Sequence, residues 1–160
     1  MLIGLAAVAT LAAVNVAIWQ KEALIAEGRP VYVELAPVDP RSLMQGDYMR
    51  LNFRLPEDVE HQLDALVTRQ RPHVVARRDA RGVASLLRIE SPGAVVAADE
   101  FRIEITPKNG RWIFVSDAWF FREGEGARWA VAKYGEFRVA ADGRALLVGM
   151  ADAALLPIKP

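Results

Sequence analysis

Gly46-Asp47-Tyr48-Met49-Arg50-Leu51-Asn52-Phe53-Arg54-Leu55 joins a Gly-Asp pair to a run of alternating character. From Tyr48 onward polar and apolar positions alternate. Tyr48, Arg50, Asn52 and Arg54 fall on one face, and Met49, Leu51, Phe53 and Leu55 on the other. A period of two predicts a half-buried β-strand. Gly46 suits a backbone angle that other residues resist, so a turn leads into the strand. Before that turn, Asp39 to Gln45 reads as a polar loop containing Pro40, Arg41 and Ser42. Val31-Tyr32-Val33-Glu34-Leu35-Ala36-Pro37 is a second alternating strand, rich in β-branched residues.

Beyond Leu55 the period changes. Pro56 suits a first helical position, and Glu57, Asp58 and Glu60 complement the positive end of the helix dipole. Val59, Leu63, Leu66 and Val67 make one apolar stripe, and Arg69 and Arg71 complement the other helix end. No capping side chain stands at Leu55. From His73 onward the chain reads as hairpins. Asp79-Ala80-Arg81-Gly82, Asn109-Gly110 and Asp142-Gly143 separate alternating runs, and Asn-Gly and Asp-Gly supply the positive φ of tight turns. Ala127, Ala130, Val131 and Tyr134 share a helical stripe, with Gly135 expected to close that helix. The expected fold is α+β: an antiparallel β-rich domain with one or two short helices.

Residues 1–19 carry no ionisable side chain. Leu2 to Trp19 as a helix would span roughly 27 Å, close to the hydrocarbon thickness of a bilayer. The helix is expected to continue through Glu27 and stop at Gly28 and Pro30, with Trp19 at the interface and Lys21 beyond it. A cleaved signal peptide needs a basic segment before the apolar run and a small-residue cleavage site after it. No Lys or Arg precedes Lys21, and the Ala-x-Ala runs lie inside the apolar stretch. The expectation is a retained transmembrane helix: residues 1–28 as anchor, meeting lipid through residues 2–19, and residues 29–160 as one domain.

Composition excludes several classes. Twenty basic and twenty acidic side chains give a net charge of zero, against a general nucleic-acid binder, which needs a basic excess. The absence of Cys removes disulfides, thiolate zinc sites and a cysteine nucleophile. His61 and His73 are too few for a histidine metal site and read as solvated side chains. No cofactor, metal ligand set or catalytic residue is assigned.

Gly46, Asp47, Tyr48 and Leu51 resemble the motif of the GDYxxLxY family, small membrane-anchored bacterial proteins. Phe53 stands where the family name has Tyr. Phe120-Phe121-Arg122-Glu123-Gly124, Lys133 to Val139 and Ala145 to Gly149 resemble the family's C-terminal half. The resemblance implies an uncharacterised accessory or interaction domain for a multi-pass membrane protein. It also implies an N-in, single-pass anchor in the bacterial inner membrane, with the domain on the periplasmic side. Taken alone, Lys21, Arg29 and Arg41 after the helix would favour the opposite orientation.

The membrane helix, the Gly46-Asp47 turn and the strand are also similar to bacterial signal peptidases. There the nucleophile position falls on Val38, which has no hydroxyl, and Ser42 aligns with a non-catalytic one. Lys108, expected in a turn, and Lys159 at the tail do not look like a buried base. The hydrolase is the alternative reading, without its Ser/Lys dyad. The candidate site is therefore structural or partner-binding: Asp39, Pro40, Arg41, Gly46, Asp47, Tyr48, Leu51 and Phe53. Asp39 and Asp47 are expected to accept backbone N–H bonds, with Arg41 bridging. Trp119, Phe120 and Phe121 form a second candidate surface, since adjacent strand residues point to opposite faces and one aromatic is left outside.

Overall fold

The computed structural model describes residues 2–36, 48–66, 71–108 and 110–159. It opens with α1 (Leu2–Glu27), long and apolar enough to cross a membrane. The helix has no polar face and stands clear of the domain: residues 3–22 are exposed, and partial burial starts at Ala23 and Leu24. Thr10 and Asn15 turn their polar groups back onto the carbonyls of Ala6 and Leu11. That hides them within the helix itself.

The junction with the domain is tight. The Gly28 N–H donates to Leu24 O at 2.9 Å. A Cβ at Gly28 would overlap that same oxygen and press on Arg138 Cβ. Gly28 is thus required by close approach, not by a left-handed conformation. Arg138 Nε donates to Ile25 O at 3.2 Å, bringing positive charge to the helix C-terminus from a distant strand.

The domain is antiparallel throughout its ladders. β1 (Arg29–Glu34), β9 (Tyr134–Val139) and β10 (Ala145–Ala151) form one sheet in the order β1-β9-β10. β3 (His73–Arg78), β4 (Ala84–Ile89) and β5 (Glu100–Glu104) form another in the order β4-β3-β5. A bridge between Tyr32 and Val83 joins β1 to β4, and the Glu104 N–H donates to Gly143 O at 2.8 Å on the other side. Two short ribbons complete the fold: β2 (Tyr48–Arg50) with β8 (Ala118–Phe120), and β6 (Thr106–Lys108) with β7 (Arg111–Ile113). The remaining helices are α2 (Glu57–Asp64) and the single turn α3 (Gly126–Trp129).

The expected alternation holds from Met49 to Arg54. Met49, Leu51 and Phe53 are buried, whereas Arg50 and Arg54 are exposed. The centre of the core is an aromatic trio. Phe53 meets Phe114 and Phe137 edge-on, both at 5.5 Å between ring centroids. Such edge contacts bring the positive rim of one ring to the negative face of another. Turn chemistry holds as well. Gly82, Gly110 and Gly143 all have positive φ, and Asp79 Oδ1 accepts the N–H groups of Arg81 and Val83. Those bonds, that from Val83 first, hold the Asp79 carboxyl below its ordinary range.

Several local expectations are corrected. Tyr134 and Gly135 lie inside β9, and α3 ends at Trp129. Gly135 is small because Phe53, Phe137 and Leu147 crowd its Cα, not because it closes a helix. Pro56 is the N-cap residue of α2, not its first helical residue, and no side chain caps that end. Only Val59 and Leu63 of the α2 stripe are buried; Leu66 follows the helix and is exposed, and Val67 and Arg69 lie outside the described residues. Arg71 pairs with Glu104 of β5 at 2.7 Å instead of serving the helix end. Lys108 is in a strand and not in a turn.

Candidate functional site

The motif residues divide by burial. Leu51 and Phe53 belong to the core, where Leu51 is 1% exposed. The Leu51 N–H donates to Asp117 O, and Phe53 bridges Leu35, so strand pairing fixes both. Tyr48 lies on the opposite face of the same strand and is half-buried. Asp39, Pro40, Arg41, Gly46 and Asp47 lie outside the described residues.

β2 brings the two candidate regions together. Tyr48 sits directly opposite Phe120, Met49 opposite Trp119, and Arg50 opposite Ala118. Directly opposed residues of an antiparallel pair share a face. Tyr48 and Phe120 therefore stand side by side on the outer face, with ring centroids 5.7 Å apart. Phe120 is 75% exposed. Met49 and Trp119 face inward, and the Trp119 ring lies 5.4 Å from that of the buried Trp129. Phe121 stacks on Trp129 at 6.3 Å. Of the three adjacent aromatics, Phe120 is the one turned to solvent; Trp119 and Phe121 carry the ribbon onto the core.

Polar contacts frame this ribbon. Lys108 Nζ donates to Asp117 Oδ1 at 2.7 Å, and this bond, before any other cause, holds the Asp117 carboxyl below its ordinary range. Lys108 is thereby held in an ion pair with Asp117. Arg111 donates to Asn52 Oδ1, tying β7 to the motif strand. The indole N–H groups of Trp119 and Trp129 are buried and have no acceptor among the described residues.

The two histidines lie on other elements, α2 and β3. His61 is exposed on α2, and His73 is half-buried in β3 with Nδ1 3.6 Å from Glu90. Among the described residues no group of three His, Asp or Glu side chains is placed to hold a metal ion. What the ribbon offers chemically is a small aromatic surface with one phenol hydroxyl, beside the exposed Arg50. The juxtaposition of Tyr48 and Phe120 was not readable from the chain, because nothing local in either segment names its partner strand. The only local signal was that one of two adjacent aromatics had to face outward.

Comparison with curated proteins and with solved structures finds no match to this chain. A family model described as GDYXXLXY protein matches residues 10–150, a span that takes in most of α1, both ribbons and both sheets, and the chain belongs to that family.

Proposed function

We propose that this protein is a single-pass, membrane-anchored accessory domain that binds a multi-pass membrane protein through the outer face of the β2–β8 ribbon. The observation that carries the reading is the aromatic pair of half-buried Tyr48 on the motif strand β2 and exposed Phe120 opposite it on β8. Exposed aromatics with an adjacent cation are the residue types that anchor protein interfaces. The apolar helix standing clear of the domain supports anchoring, with residues 1–28 as anchor and residues 29–160 as the binding domain. The family resemblance supports placement in the bacterial inner membrane with the domain on the periplasmic side, and a polytopic partner. No catalytic role is assigned to any residue.

The test is affinity capture of the full chain from detergent-solubilised membranes, beside the Tyr48→Ala and Phe120→Asp variants. The expected result is a stoichiometric polytopic protein with the parent chain and its loss with Phe120→Asp. Equal capture by both chains would remove the ribbon from the interface. Labelling by a serine-reactive probe would favour the hydrolase instead. Carbonate extraction and the mass of the mature N-terminus check the anchor; release, or a start near residue 20 to 30, would overturn it.

A further inference from the structure

The base of the domain is built against the last turns of α1, at a depth that the helix itself measures. The charge-free run from Leu2 to Trp19 at ~1.5 Å per residue extends ~27 Å, close to the thickness of a bilayer hydrocarbon core. The end of that core therefore falls near Trp19, just before the domain begins to bury the helix at Ala23 and Leu24. One groove between helix and domain is lined on the helix side by Ala17, Gln20 and Lys21, and on the domain side by Arg71, Lys108 and Val115. It straddles the calculated edge of the hydrocarbon. A second groove, which shares Gln20, Leu24 and Arg144 with the first, includes Trp19, Glu27, Arg29 and Val96.

The side chains there have the chemistry of a membrane interface. Val115 is 43% exposed at φ 59, at a turn in which the Ser116 N–H donates to Phe114 O. A β-branched residue is strained in that conformation, and glycine would hold it freely. Val95, next to Val96, is 88% exposed, and Trp19 is 68% exposed. Lys21 and Arg29 have no acidic partner within ion-pair distance among the described residues, although Arg29 lies over the Phe101 ring at 5.6 Å. Arg71 and Lys108 are paired with Glu104 and Asp117, so the unpaired cations there are Lys21 and Arg29, with Glu22 and Glu27 beside them also outside any ion pair among the described residues. Apolar tips beside long basic side chains match a headgroup layer, where the tip enters the acyl boundary and the cation meets phosphate.

We propose that the base of the domain is a lipid-binding surface. Val115 and Val95 enter the headgroup layer of the bilayer that α1 crosses, and Lys21 and Arg29 contact the phosphates of anionic phospholipids. This rests on the anchor reading, and the experiment separates the two. The chain has no cysteine, so single labels can be placed without background. The full chain carrying Val115→Cys, Val95→Cys or Leu156→Cys is labelled with a polarity-sensitive fluorophore. It is then reconstituted into vesicles of phosphatidylethanolamine and phosphatidylglycerol. Leu156 is exposed past the end of β10, the strand that leads away from the groove, and serves as the aqueous reference.

Flotation of the vesicles with the chain tests the anchor alone. In the floated fraction, labels at Val115 and Val95 are expected to be blue-shifted and several-fold less quenched by iodide than the label at Leu156. A Lys21→Gln, Arg29→Gln chain is expected to lose part of that protection. Equal iodide quenching at Val115, Val95 and Leu156 in a chain that floats overturns the lipid surface and leaves the anchor standing. Failure to float overturns the anchor, and the lipid surface with it. Protection that is unchanged by the Lys21 and Arg29 substitutions overturns the phosphate contacts.

Discussion

Adding one methyl group at Gly135 is expected to destabilise the domain. Gly135 lies in β9 between Val33 of β1 and Met150 of β10. A Cβ there would lie 2.9 Å from Phe137 Cε2, 3.1 Å from Phe53 Cε1 and 3.2 Å from Leu147 Cδ1. Leu147 is half-buried and can shift. The two rings cannot, because each packs edge-on against the other and against Phe114, and both Phe114 and Phe137 are fully buried. Overpacking of this kind costs ~1–3 kcal/mol. Removing glycine from a strand interior returns ~0.5–1 kcal/mol of chain entropy. The net loss for Gly135→Ala is therefore about 1 kcal/mol at the middle of both ranges, and ~2.5 kcal/mol at most.

Gly149 in the neighbouring strand is the control. A Cβ there would meet Glu136 Oε2 at 3.4 Å and Glu136 Cβ at 3.8 Å, which are ordinary contacts. Gly149→Ala keeps only the entropic gain and is expected to be neutral or stabilising by up to ~1 kcal/mol. Urea unfolding of the full chain in detergent micelles, followed by tryptophan fluorescence, compares them. With a slope of ~1–3 kcal/mol per M, a loss of about 1 kcal/mol lowers the midpoint by roughly 0.3–1 M. A midpoint at or above that of the parent would refute the packing argument. So would an equal fall for Gly149→Ala.

Three further outcomes are expected. Val115→Gly relieves a strain of ~1–3 kcal/mol against ~0.5–1 kcal/mol of added chain entropy, so the urea midpoint rises; a fall would contradict the strained turn. Glu100 is held at about 2, well below its ordinary 4.5, first by the paired Arg88 bonds at 2.9 and 2.8 Å and then by the Ala97 N–H. Its stabilisation is present above pH 4.5 and lost as pH falls through about 2, so the gap between parent and Glu100→Gln should close over that window and not above it. Phe120→Ala should change stability by less than ~0.5 kcal/mol, as exposed sites do, whereas Trp129→Ala should cost ~3–5 kcal/mol; similar losses would mean that Phe120 is not a free surface residue.

The sequence determined the elements whose cause is local. A long charge-free run rich in Ala and Leu favours the helix, and α1 follows from it, long and apolar enough to cross a membrane. The alternation from Tyr48 to Leu55 set which side chains of that stretch are buried, because a strand presents successive residues to opposite faces. Asp-Gly and Asn-Gly marked turns because few residues accept positive φ. The family motif was legible too, since it is a contiguous string.

Only the tertiary structure decided what depends on which segments meet. Gly135 read as a helix stop because its local surroundings are Ala-rich; packing against Phe53 and Phe137 placed it in a strand. Arg71 and Arg138 were matched to Glu104 and to the Ile25 carbonyl by tertiary packing, and not by spacing along the chain. The same holds for Tyr48 and Phe120. Each reads as an ordinary aromatic, and they become one exposed surface only because β2 pairs with β8 in a register that sets them opposite each other. Strand pairing is non-local: its free energy comes from hydrogen bonds and side-chain pairs between distant segments, so no window of sequence contains it.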